Sequence, residues 1–193
     1  KKTSDELFMD RHLVGRVFAI IFFSTALGGL IFQSTTFALP KMFDERLSEL
    51  AISATVIGRY AFIVFAFAAV GQLVVGYMLD RYPVRVVFSL VAALQAVFFG
   101  IMPGLNGLNA LVVAIAFMLV VFGQIPINDV LISRVTQSEW RSRAYAFRYI
   151  VTFSVSASSI PFIAWIHARW GFDRLFIVLS VAAIFIFVSV LLL

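Results

Sequence analysis

Long runs without charge alternate along this chain with short clusters in which charge, proline and glycine gather. Apolar stretches extend over about residues 17–39, 52–79, 86–102, 110–130, 149–166 and 175–193. An α-helix needs about 20 apolar residues to cross the hydrocarbon core of a bilayer, and the runs reach or approach that length. A membrane barrel would instead show segments of roughly ten residues that alternate apolar and polar side chains. These runs do not alternate, so the pattern predicts six membrane helices.

The breaks between runs carry their own signals. Pro40, followed by the charged cluster Lys41 to Arg46, is expected to stop the first span. The second run carries Arg59 and ends at the elbow Asp80-Arg81-Tyr82-Pro83-Val84-Arg85. Pro103-Gly104-Leu105-Asn106-Gly107 is a turn by composition. Ser133 to Arg143 reads as a polar, arginine-bearing loop, and His167 to Arg174 as an aromatic-charged loop of the kind that sits at a membrane interface. Pro126 and Pro161 lie inside spans, where they permit kinks. Residues 1–16 read as a cytoplasmic linker or surface segment and 17–193 as the bundle. The missing initial methionine and the uncharged end at Leu193 suggest a fragment of a longer polypeptide.

Composition agrees with the pattern. Apolar residues make up 62% and charged residues 13%, with 22 phenylalanines and a mean hydropathy of +1.03. Globular domains carry roughly 25% charge, so a soluble domain is excluded. The net charge of +5 comes from short basic clusters between apolar runs, without a basic face for nucleic acid. Such clusters fit loops that meet lipid headgroups. Ten of the fifteen basic residues (Lys1, Lys2, Arg11, Arg16, Arg81, Arg85, Arg134, Arg141, Arg143 and Arg148) fall on one side, against Lys41, Arg46, Arg59, Arg169 and Arg174 on the other. The positive-inside bias therefore predicts both ends and the Asp80 elbow in the cytoplasm, in a multi-pass protein of a bacterial inner membrane.

The elbow Gly76-Tyr77-Met78-Leu79-Asp80-Arg81-Tyr82-Pro83-Val84-Arg85 resembles the cytoplasmic loop signature of the major facilitator superfamily. In that signature a glycine, three further residues and Asp-Arg precede trailing basic residues, between the second and third helices of a six-helix half. Here a later glycine is replaced and only Arg85 remains of the trailing bases, a degeneracy more typical of the C-terminal half. The segment Arg134 to Ala146 is similar to the family's linker between its fourth and fifth helices, and Trp170-Gly171-Phe172 to its lead into the last one. The resemblance implies an all-α membrane fold, with six transmembrane helices as two inverted three-helix repeats (about 17–103 and 107–193). It also implies a second half on the same polypeptide, and secondary transport of a small solute by alternating access. A non-transporting membrane scaffold that has kept the fold is the alternative.

Candidate chemistry is sparse. With no cysteine, thiol and iron–sulfur chemistry are excluded. No His-Glu-x-x-His, Gly-x-Ser-x-Gly or phosphate-binding loop occurs. Neither an enzyme nor a cofactor or metal site is expected. By the family resemblance, Asp80 and Arg81 would gate the cytoplasmic side, clustering with Arg85, Asp129, Arg134 and Arg141; the plain alternative is that these charges only set topology. Arg59 would bind an organic anion if it faces a cavity, because an arginine within a span is costly unless it snorkels or is solvated. Gln33, Thr36, Gln124 and Asn128 are polar residues in the first and fourth spans, suited to line a cavity. Thr25 and the serines of the fifth span read as sites of close helix packing, and Gly28, Gly29, Gly71 and Gly76 as packing positions or sites where a helix can bend.

Overall fold

The computed structural model describes residues 4–50, 53–135 and 141–192, with side chains throughout these except at 4–18, 134, 135, 141 and 144. Five helices account for nearly all of them: α1 (Ser4–Arg46), α2 (Ala54–Arg81), α3 (Val84–Ile101), α4 (Gly107–Val135) and α5 (Arg141–Leu191). All five contain stretches long and apolar enough to cross a membrane. Large apolar side chains on the outside, such as Phe62 (73% exposed) and Leu73 (74%), suit a surface bathed in lipid.

Local sequence explains where the helices turn. Ser53, in an extended conformation, caps α2 by accepting from the Val56 N–H at 3.4 Å. At the other end Tyr82 is extended and Pro83, with φ −57 and no N–H to satisfy, leads into α3. Two residues thus make the elbow. The α3–α4 turn uses Gly104 and Gly107 at positive φ (75° and 58°), a conformation glycine adopts without a Cβ penalty.

The expected stop at Pro40 does not occur. The proline lies inside α1, which continues to Arg46 and closes a further turn with Leu47 N–H donating to Phe43 O at 2.9 Å. Met42, Phe43 and Leu47 beyond it are fully buried. Burying such side chains contributes about 1.5–3 kcal/mol each, enough to offset the roughly 3 kcal/mol cost of an interior proline. Residues 4–16 are also helical and continuous with the first span rather than a separate segment. Pro126 lies within an unbroken α4.

The last two expected spans form one element of 51 residues, about 77 Å if straight, more than twice the hydrocarbon core. It is not straight. Gly171 leaves the helical region (φ 72°, ψ −175°) and divides α5 into a first arm (142–170) and a second arm (172–191). The first arm runs parallel to α1, as shown by Phe22 against Phe147 (5.0 Å between rings), Gln33 bonded to Ser156 and Glu45 bonded to His167. The second arm runs antiparallel to α3: Phe99 meets Phe176, Ala96 O accepts from Ser180, and Leu191 O accepts from Arg85. Arg46 bonds to Met102 O and Leu105 O, so α1 and α3 end at the same face. The chain therefore reverses direction at Gly171.

Packing between α2 and α4 is closest at two glycines. A Cβ on Gly71 would lie 2.3 Å from Leu119 O, and one on Gly123 would lie 2.6 Å from Val75 Cγ2. Neither helix could approach so closely with larger residues. Gly76 is different from the expectation of close packing, since a Cβ there would meet nothing within 4 Å. The core toward the Arg46 end is aromatic, with Phe99, Phe117 and Phe176 at ring separations of 5.3–6.2 Å.

A candidate solute cavity between α1, α4 and α5

A cavity of about 190 Å³ opens between α1, α4 and the first arm of α5. Thr25, Gly28, Gly29, Phe32 and Gln33 supply the α1 wall. Val121, Gln124, Ile125 and Asn128 supply the α4 wall, and Arg148 and Thr152 the α5 wall. The helical repeat explains the set: Thr25, Gly29 and Gln33 are spaced four apart, as are Gln124 and Asn128, so each group shares a face.

The wall is mostly apolar, and part of its polar minority lacks partners. Thr25 Oγ1, Gln124 Nε2 and Asn128 Oδ1 are buried with no hydrogen-bond partner. Such atoms are uncommon, because leaving a buried polar group unpaired costs about 1–3 kcal/mol. Gln33 is held from behind, its Nε2 donating to Ser156 Oγ at 2.7 Å. Gln124 is held from α3: Gln95 Nε2 donates to Gln124 Oε1 at 2.9 Å and toward Val120 O at 3.5 Å. Arg148 donates to Asp129, and its side chain is 12% exposed against 51% for the carboxylate. Tyr145 adds a hydroxyl donor to Asp129 O at 3.2 Å.

Of the residues expected to bind substrate, Gln33, Gln124 and Asn128 line this cavity, whereas Thr36 and Arg59 do not. Thr36 Oγ1 is buried and unpartnered elsewhere on α1. Arg59 is exposed on α2 and makes no ion pair among the described residues. Among the described side chains, the expected gate residues Asp80, Arg81, Arg85 and Asp129 do not pair with one another. Asp80 is exposed and unpartnered among the described residues, Arg81 lies over the Tyr77 ring at 4.2 Å, and Arg85 donates to Leu191 O. Asp129 engages Arg148 instead. The side chains of Arg134 and Arg141 lie outside the described residues.

The roles of two polar residues escaped the sequence reading. Arg148 could have been found from Asp129, the lone acid in the later apolar runs, which needs a nearby cation. Gln95, an amide within a span, reads from sequence as an interhelical hydrogen-bonding group, and it bonds to Gln124 across α3 and α4. Arg46 looked like one charge among several at the end of α1, yet its side chain is 9% exposed and organises the opposite face. It donates to Met102 O and Leu105 O, both at 2.9 Å, and to Asp173. Asp173 also accepts from Gly104 N–H at 3.0 Å. The Gly104 N–H, with help from Arg46 and against the opposing effect of partial burial, holds the Asp173 carboxyl below the ordinary carboxylate range. At that face Trp165 and Trp170 meet edge to face at 5.0 Å, with Arg169 over Trp165.

Compared with protein-family models, residues 11–193 match that of the Major Facilitator Superfamily. Among curated proteins, none matches the chain.

Proposed function

This chain belongs to the major facilitator superfamily, and we propose from that premise that it is one half of a secondary transporter moving a small solute by alternating access. In this reading α5 counts as two crossings meeting at Gly171, so the half has six. The helices form two inverted three-helix repeats, and a second half on the same polypeptide closes the other side. The observation that carries the reading is the membrane-embedded cavity, with buried polar atoms that no protein group satisfies.

The favoured orientation puts the Asp80 end in the cytoplasm of a bacterial inner membrane and the Arg46 end outside. The substrate class is an organic anion. Arg59, exposed on α2, is assigned to an approach path at the outer end rather than to the cavity. Asp80, Arg81 and Arg85 are assigned to a cytoplasmic latch, with Arg134 and Arg141 as its partners. The test is uptake by the full-length protein in liposomes under an imposed ion gradient. Accumulation of a small solute above equilibrium is expected. Its absence across neutral, anionic and cationic probes would remove the transport reading.

A further inference from the structure

Arg148 is only partly used by its visible partner. One of its terminal nitrogens donates to Asp129, while the side chain also forms part of the cavity wall. A guanidinium carries five N–H donors in a planar fork, so an edge remains for a second anion. Asp129, half exposed, keeps its own access to water.

The neighbouring amide is fixed as a donor. Val120 O can only accept, so the Gln95 nitrogen must be the atom that faces it, and the same nitrogen then donates to Gln124 Oε1. With its oxygen committed to α3, Gln124, a lining residue of the cavity, is left with an unpartnered, buried Nε2 beside Gly28. Gly28 makes room for it, since a Cβ there would lie 2.4 Å from Nε2. Thr25 adds a hydroxyl, and Asn128 an acceptor through Oδ1. All three residues are more than nine-tenths buried.

We propose that this cavity binds a small monocarboxylate bearing a hydroxyl or amine, with Arg148 as its anchor and Asp129 as an internal stand-in that occupies Arg148 when the cavity is empty. The carboxylate lies against the Arg148 edge and Gln124 Nε2, and the ligand's own donor meets Asn128 Oδ1. Charge sets the class: one guanidinium can neutralise one anion once Asp129 falls back on water, whereas a dianion would leave an uncompensated charge in a low-dielectric site. At about 30 Å³ per water in the liquid, the 190 Å³ contributed by this half corresponds to roughly six waters, room for a ligand of at least about six non-hydrogen atoms. The proposal rests on reading the cavity as the substrate site.

The competition between Asp129 and ligand makes a test that a merely structural ion pair would fail. Glycolate, its neutral counterpart glycolamide and the dianion malonate are titrated into the purified full-length protein, with binding read by calorimetry and by thermal shift. Glycolate binds and the other two do not. Arg148→Gln weakens glycolate binding by roughly tenfold or more. Asp129→Asn tightens it, because the competitor is gone. Gln124→Glu, which places a like charge in the cavity, abolishes binding and serves if Arg148→Gln does not fold. No glycolate binding at millimolar concentration, or weakening by Asp129→Asn, overturns the proposal. Accumulation of a neutral solute in liposomes alongside indifference to glycolate would leave the transport reading standing and remove this one.

Discussion

Gln95 on α3 donates its side-chain amide to Gln124 on α4 at 2.9 Å, and through that bond a residue outside the cavity decides which end of Gln124 faces into it. Gln95→Leu removes the donor and leaves Gln124 Oε1 buried and unpaired. We expect a loss of about 1–3 kcal/mol in stability, measured as a lower unfolding temperature in detergent, together with weaker solute binding. Unchanged unfolding and binding would mean that the amide pair neither stabilises the bundle nor orients the site.

Gly28 and Gly29 are neighbours in sequence with different surroundings. A Cβ at Gly28 meets the Gln124 amide at 2.4 Å, whereas one at Gly29 meets Val155 at an ordinary 3.7 Å. Because the amide is the movable end of a side chain, Gly28→Ala is expected to fold but to displace Gln124, raising the apparent KM for uptake. Gly29→Ala, whose added carbon meets only an ordinary contact, should raise it less. Equal effects from both would argue against a positional role for Gly28.

The glycines of α2 form a second matched pair. At Gly71 the added carbon would collide with the Leu119 carbonyl, a backbone atom that cannot step aside. Gly71→Ala should force α2 and α4 apart and cost about 1–3 kcal/mol. Gly76 has open space around it, so Gly76→Ala should be neutral or stabilise by up to about 1 kcal/mol, since alanine restricts the unfolded chain and favours helix. Thermal unfolding of the two variants side by side decides the point.

At the opposite face, the Arg46–Asp173 clamp predicts a pH dependence. Asp173 has a folded pKa below its unfolded value of 3.8. The sign is that of a depressed acid: the stabilisation is fully present above the unfolded value and is lost as the pH falls through the folded one. Asp173→Asn should therefore lower the unfolding temperature at about pH 7 by an amount equivalent to about 1 kcal/mol, modest because the carboxylate is half exposed. The gap to wild type should narrow as the pH falls below the unfolded value and close once it is also below the depressed folded one. Arg46→Ala should cost about 2 kcal/mol or more, because it also strands the Met102 and Leu105 carbonyls. A gap for Asp173→Asn that is constant with pH would show that the carboxylate's charge is not what matters.

The sequence revealed the membrane crossings well and the ion pairs poorly, for a physical reason. Each crossing is specified by some 20 consecutive residues and tolerates local exceptions, so α2, α3 and the α3–α4 turn lie close to where hydropathy and glycine put them. Pro40 misled because its local cost is outweighed by the burial of Met42, Phe43 and Leu47, which only tertiary packing reveals. Part of the cavity wall was legible because Gln33, Gln124 and Asn128 are polar where lipid would exclude them. The partnership of Asp129 with Arg148 was not, since it depends on the separation and rotation of α4 and α5. The same holds for Arg46, whose partners lie 56 to 127 residues away along the chain.

The reversal at Gly171 has a consequence for biogenesis. A single non-helical residue separates the two arms of α5, so no loop exists that could be threaded across the bilayer independently. In the proposed six-crossing arrangement the two arms would enter the membrane together as one tight hairpin. Lengthening this corner would therefore change when the two helices meet during synthesis, before it changed anything about how they finally pack.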